Sequence, residues 1–223
     1  MATKEKSKAK TNPVSAEMIS KAYREHILTN GKAPASVYAF CKELGIKEAE
    51  FYQYFGSFEA LEKSFWKSFF ETTQERLESD ADFHQFTSRE KILTFYFALV
   101  EALKAERSFV LLQLKDWKTP LPTPTFLKDF KAGFEEWTKK VLESGKASGD
   151  VAKRPYLDER YHHLFWMHLA FILHFWQKDD SANFERTDAA IEKSVNLAFD
   201  LIGKGILDNA IDFGKFLYQN TKN

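Results

Sequence analysis

Residues 36–61, SVYAFCKELGIKEAEFYQYFGSFEAL, decide how the rest of the chain is read. Apolar residues recur there at helical spacing in two short runs, 36–44 and 47–53, separated by Gly45. A glycine supplies the left-handed backbone that a tight turn between helices needs. Two short helices joined in this way, the second about two turns long, are the sequence form of a helix-turn-helix. Phe40, Cys41 and Leu44 can pack with Ile46, Phe51 and Phe55, and Ile19, Tyr23 and Ile27 from an earlier helix complete a small core.

Outward from this stretch the chain reads as all-α. Ser15 is a suitable cap for a first helix ending before Gly31. A fourth helix opens at Ser57 and runs to about Ser79, and longer helices follow at about 88–105, 108–117, 124–144, 157–177, 184–202 and 205–220. TPLPTP at 119–124 is a stiff connector, because proline fixes its backbone angle and lacks a donor. ESGKASGDVAKRP at 143–155 reads as a solvated loop with glycines ending one helix and Pro155 preceding the next. Residues 1–12 carry Lys4, Lys6, Lys8 and Lys10 with nothing to bury, the composition of a disordered tail. The expected division is therefore a tail (1–12), a helix-turn-helix domain (13–62) and a larger helical domain (63–223).

The pattern at 36–61 resembles the DNA-binding region of TetR-type transcriptional regulators. Ser36, Phe40, Gly45, Ile46, Phe51, Tyr52, Tyr54, Phe55, Ser57, Glu59 and Leu61 carry the match. FWQKDDSANFERTDAAIEKSV at 175–195 is similar to that family's final two helices. The resemblance implies a TetR-like fold in which the third helix enters the major groove of operator DNA. Carried over by position, Ser36, Lys47, Tyr52, Gln53 and Tyr54 form the reading surface. Glutamine can pair bidentately with adenine, and tyrosine hydroxyls can reach phosphates. The chain departs from the family pattern at Lys47, where a hydroxyl cap is usual, and at Phe58, where a phosphate-binding lysine is usual. Residues 36–63 hold Lys42, Lys47 and Lys63 against Glu43, Glu48, Glu50, Glu59 and Glu62, an excess of two anions.

Whole-chain composition sharpens the picture. Lysine plus arginine equals aspartate plus glutamate at 32 each, so no general excess of cations is available to hold phosphates. Phenylalanine is abundant, 22 residues in 223, and only four of them precede residue 65. The excess belongs to the second domain, where the resemblance implies a pocket for an apolar or aromatic effector. Trp117, Phe130, Phe134, Trp137, Phe165, His168 and Phe171 are the expected walls. The helix at 157–177 is apolar all round: Phe165, Leu169, Ile172 and Trp176 form one stripe, and Leu164, His168, Phe171 and Phe175 another. A helix of that kind must be covered on every side. Trp176, with Ile191, Val195, Ala198 and Ile202 on the next helix, is the expected face of a homodimer, the assembly that the resemblance implies.

Other function classes lack their signatures. One cysteine, Cys41, excludes an intramolecular disulfide and a multi-cysteine zinc site and fits a cytoplasmic protein. His162, His163, His168 and His174 share a helix without an acidic or cysteine partner at ligand spacing, so neither metal nor cofactor is expected. SGKAS at 144–148 lacks the upstream glycine and the hydroxyl of a phosphate loop, and no nucleophile elbow, dinucleotide fingerprint or zinc-protease pair occurs, which argues against an enzyme. The longest apolar run, 164–176, is too short to span a bilayer, and no secretory signal precedes it. The segment 203–220 sets Ile206, Ala210, Phe213 and Leu217 against Lys204, Asp208, Asp212 and Lys215, a helix expected to pack on the body. A terminal amphipathic helix on this fold also resembles the coenzyme-Q biosynthesis accessory proteins. Together with Glu48, Glu50 and Phe58 it motivates an alternative reading: a TetR-fold carrier or accessory protein that binds a lipid or isoprenoid and no DNA.

Overall fold

Ser15 starts α1 (Ala16–Asn30) by accepting a hydrogen bond from the Met18 amide at 3.1 Å, and Gly31 ends it with a left-handed φ of 68°. Ser36 repeats the device on α2 (Val37–Leu44), taking the Ala39 amide at 3.1 Å. At its end Gly45 adopts φ 70°, and the Ile46 amide donates to the Cys41 carbonyl at 3.0 Å. This satisfies carbonyls that the helix end would otherwise leave unpaired. The short α3 (Glu48–Tyr52) follows at once, and Ser57 caps α4 (Phe58–Glu78) through the Ala60 amide.

The computed structural model describes residues 13–154, 157–203, 205 and 213–219, and among them there are helices and turns but no strand. The expected tail at 1–12 and Pro155 lie outside the described residues. The chain divides into two compact units, Met1–Leu61 and Glu62–Asn223. The first is held by Ile19, Tyr23, Ile27, Phe40, Cys41 and Phe51, all buried. Phe40 is its hub, meeting Tyr23, Phe51 and Phe58 edge-on at 5.6–6.3 Å between ring centres, the geometry the ring quadrupoles favour.

The second unit contains the rest of α4, then α5 (Ser88–Ala105), α6 (Arg107–Leu114), α7 (Lys128–Ser148), α8 (Tyr161–Lys178) and α9 (Glu185–Ile202). The start of α5 is a reciprocal cap: Thr87 accepts the Glu90 amide, and the Glu90 carboxylate accepts the Thr87 amide at 2.8 Å. Helix α7 packs on α5 and α8, and α9 packs on α5 and α8. No helix among the described residues is long and apolar enough to cross a membrane.

Several segments differ from the sequence expectation. Residues 143–154 are not a solvated loop: α7 continues through Gly145 to Ser148, and Val151, Ala152 and Arg154 are buried. Gly145 does not end the helix, because it sits where α7 closely approaches α5. A β-carbon there would overlap the Ser88 hydroxyl and lie 2.8 Å from Val151. Gly145→Ala is therefore expected to lower stability by about 1–3 kcal/mol, read as a reduced denaturant midpoint with unchanged m-value. Helix α6 also stops at Leu114 rather than 117. Of 203–220, Ile206 and Ala210 lie outside the described residues. Residues 213–219 are helical, and Phe213, Phe216, Leu217 and Tyr218 are exposed.

Two cations are spent on helix ends. Arg154 is buried and donates to the carbonyls of Leu201, Ile202 and Gly203 at 2.7–3.3 Å, neutralising the carbonyl end of α9. It also donates to the Tyr161 hydroxyl at 3.0 Å. Arg107 donates to the carbonyls of Trp176 and Asp179 at the end of α8 while stacking 4.4 Å from Trp176 and 4.3 Å from Phe184.

Candidate functional site

In the first unit the reading surface proposed from sequence is built from short, individually capped helices. Lys47, Tyr52, Gln53 and Tyr54 are exposed on α3 and at its ends, and Ser36 is exposed at the start of α2. Two of these groups already have work inside the unit. The Ser36 hydroxyl holds the Ala39 amide, and the Tyr54 hydroxyl donates to the Val14 carbonyl at 2.9 Å. Tyr38, Cys41, Lys42, Ile46, Lys47 and Glu48 line a hollow of about 330 Å³ between α2 and the start of α3. Burial raises the Cys41 thiol's affinity for its proton, and the charges of Glu48 and Glu50 add to that, so the thiol stays protonated and unreactive.

The acidic count on α3 has a local cause. The Glu50 carboxylate accepts the Lys47 amide at 2.8 Å, closing the first turn, so one of the two carboxylates supports the helix start. Phe58 is half-buried and packs on Tyr23, Phe40 and Phe51, inside the unit's core.

The seven effector-wall candidates separate into three groups. Trp117, Phe130, Phe134 and Trp137 are buried in the interior. Phe130 and Phe134 are 6.4 Å apart between ring centres, Trp137 meets Phe95 at 4.6 Å, and Trp117 stacks on Trp166 at 6.3 Å. Phe165 and His168 belong to a different place, a groove of about 420 Å³ between α8 and α9, with Leu157, Leu164, Ala198 and Leu201 among its walls. Phe171 is 48% exposed and lines neither.

His168 is the groove's imidazole. Its Nε2 lies 2.7 Å from the Ser194 hydroxyl, which itself donates to the Ala190 carbonyl, so Nε2 carries the proton. Its Nδ1 lies 3.3 Å from the Tyr96 hydroxyl. Burial pulls its pKa down to about 4, well below that of a free histidine. Between that value and about 6.5 the unfolded chain binds a proton that the native chain refuses, so stability falls as pH falls through this window. A slope approaching 1.4 kcal/mol per pH unit is expected near pH 5. His168→Gln, compared with the parent by urea denaturation at pH 5 and pH 7.5, should lose that component.

The dimer-face candidates are also redistributed. Trp176, Ile191, Val195 and Ile202 are buried within the chain's own core, where α9 packs on α5 and α8, so they present no surface to a second subunit. Ala198 is half-buried in the groove wall. The apolar side chains that do face outward are Leu164, Met167 and Phe171 on α8 and Leu197 and Leu201 on α9, each 38–60% exposed. Among the described residues no cluster of three or more His, Cys, Asp or Glu side chains could hold a metal ion.

Residues 91–217, more than half of the chain, match the family described as the tetracyclin repressor-like C-terminal domain. The chain belongs to the tetracyclin repressor-like family. The fold is shared with solved members of that type. A putative TetR family transcription regulator from Shewanella sp. PV-4 aligns with a TM-score of 0.60 at 11% identity, over 84% of this chain and 97% of that one. The fatty acid degradation regulator FadR of Bacillus halodurans aligns with a TM-score of 0.56 at 16% identity, over 86% and 100%. FadR from Bacillus subtilis, solved in complex with stearoyl-CoA, gives 0.55 at 18%, over 86% and 100%. No curated protein matches the sequence.

For a tetracyclin repressor-like chain, the groups that sequence reasoning missed are Trp66, Trp166, Ser194 and Tyr96. Trp66 and Trp166 lie in the same aromatic interior as Phe130, which is 6.0 and 6.1 Å from them. Their apolar neighbours in sequence make each look like ordinary core. Tyr96 and Ser194 carried no signal, because only the packing of α5 and α9 against α8 brings them to His168.

Proposed function

We propose that this protein is a ligand-responsive, one-component transcriptional regulator, acting as a repressor, that binds operator DNA as a homodimer and answers to an apolar or aromatic small molecule. The observation that carries the reading is the helix-turn-helix unit, with Lys47, Tyr52 and Gln53 exposed on α3 and its ends while Glu50 is turned to the backbone. Lys47 and the Tyr52 hydroxyl suit phosphates, and Gln53 suits a base edge. The outward apolar face of α8 and α9 suits a two-fold contact, and the aromatic interior suits the effector. The stearoyl-CoA bound by the Bacillus subtilis neighbour supports a long apolar molecule as one effector class. Ligand that prefers one arrangement of the dimer would set DNA occupancy through that preference alone.

Gel-shift and footprinting on DNA upstream of the protein's own gene, across a salt series, test this reading. A specific footprint that weakens with salt is expected, because phosphate neutralisation releases counterions. Absence of such a footprint on every genomic fragment overturns it. Phe58, withdrawn into the core where the family usually offers a phosphate-binding lysine, favours a second reading: a lipid or isoprenoid carrier that does not bind DNA. Mass spectrometry of solvent extracts from the purified protein tests that alternative, which fails if no apolar molecule co-purifies.

A further inference from the structure

Four of the five tryptophans have an indole N–H that is shielded from solvent and has no hydrogen-bond acceptor among the described residues: Trp66, Trp117, Trp166 and Trp176. Trp176 stands apart from the others, at the end of α8 with the Arg107 guanidinium over its ring. The other three fall in one aromatic cluster. Trp117 stacks on Trp166 with ring centres 6.3 Å apart, and Phe130 stands 6.1 Å from Trp166 and 6.0 Å from Trp66. A buried donor without a partner forfeits its hydration and gains nothing in return, and native interiors rarely leave several together. At the edge of the cluster the partly exposed Lys131 ammonium lies 5.7 Å from the centre of the Trp166 ring.

The cluster also has a way in. Trp66 and Trp166 are fixed on α4 and α8, but Trp117 lies beyond the end of α6, in the connection to α7. Its carbonyl is held by one contact to His174 Nε2 at 3.0 Å, and its ring rests on that imidazole at 4.4 Å. Displacing this connection would uncover the face of Trp166 without breaking a helix.

We propose that the Trp66–Trp117–Trp166 cluster is a ligand site for a flat or chain-like apolar molecule bearing a carbonyl oxygen, which receives one or two of the indole N–H groups. A carbonyl oxygen has two lone pairs, an indole only donates, and the walls offer aromatic faces to everything else in the ligand. This rests on the effector half of the function proposed above and names its chemistry. It does not require DNA binding.

The test uses the full chain, labelled with nitrogen-15, whose five tryptophans give five indole cross-peaks assignable by single Trp→Phe substitutions. Acetophenone and ethylbenzene are titrated in parallel, because they match in shape and differ in the carbonyl oxygen. Acetophenone is expected to move at least one of the Trp66, Trp117 and Trp166 protons downfield and to bind about fivefold more tightly than ethylbenzene, the worth of one net hydrogen bond. Trp166→Phe is expected to reduce that preference; if this variant does not fold, the comparison of the two probes on the parent protein decides alone. Equal affinities with equal shifts, or no response to acetophenone, overturns the proposal. So do three resonances already downfield and unresponsive, since buried water would then be the partner. A positive titration with a negative gel shift removes the regulator reading and keeps this site; the reverse removes only this site.

Discussion

Asp179→Ala is expected to destabilise the protein by about 3 kcal/mol and lower its melting temperature by roughly 10 °C. Asp179 is buried in the turn between α8 and α9, and both carboxylate oxygens are fully engaged. One accepts the Ser181 amide at 2.9 Å and hydroxyl at 2.6 Å; the other accepts the Thr187 amide at 2.8 Å and hydroxyl at 2.6 Å. Alanine would strand these donors, and the Thr187 hydroxyl and amide are buried. The turn also follows a costly path, since Asn183 and Phe184 both take positive φ, 53° and 64°, which side chains disfavour. Burial alone would raise the proton affinity of the carboxyl, but the donors from Ser181 and Thr187 outweigh it and hold Asp179 well below the usual carboxylate range. The folded pKa is thus depressed, so this stabilisation is complete above about pH 4 and is lost as pH falls below the unfolded value of about 3.9. Thermal melts of parent and variant should therefore converge toward pH 2 and stand furthest apart near neutrality. A melting temperature within 2 °C of the parent at pH 7 would contradict the assignment.

The second large effect concerns assembly. Phe171→Glu combined with Leu197→Glu is expected to convert the proposed homodimer into a monomer at micromolar concentration, measured by light scattering after gel filtration. Leu164, Met167 and Phe171 lie at three- and four-residue intervals on α8, so they share a face, as Leu197 and Leu201 do on α9. Leu164 and Leu201 meet at the same groove, which makes the two faces one surface. A two-fold axis doubles every substitution, so four carboxylates would enter one contact, and the dimer dissociation constant should rise by at least about 100-fold. Both side chains point away from the core, so the circular dichroism spectrum and melting curve should change little. An unchanged mass would place the dimer contact elsewhere or remove it.

The helix-turn-helix unit was legible in sequence because its devices are local. Ser15, Ser36 and Ser57 cap the next turn, Gly31 and Gly45 take left-handed angles, and the apolar spacing within thirty residues names its own core. The second unit was legible as helices and less so as surfaces. Periodicity separates two stripes on α8, and both exist. It does not say which covers the chain's own core and which faces outward. The stripe through Phe165, Leu169 and Trp176 is buried against α9 and the interior, whereas Leu164 and Phe171 on the other are exposed. Apolar character reports that a residue is to be covered; only the packing of α5 and α9 decides by what. The same reasoning explains Gly145, which reads as a helix stop until Ser88, more than fifty residues away, is seen pressing on it.

Arg154 carries a consequence for chemical labelling. A dicarbonyl such as phenylglyoxal must reach a free guanidinium to add to it, yet this one is committed to three carbonyls at the end of α9 and to the Tyr161 hydroxyl. Lys153 beside it is exposed and open to acylation. The native chain therefore offers such reagents one of two adjacent basic residues, and an adduct on Arg154 marks molecules in which α9 has already let go.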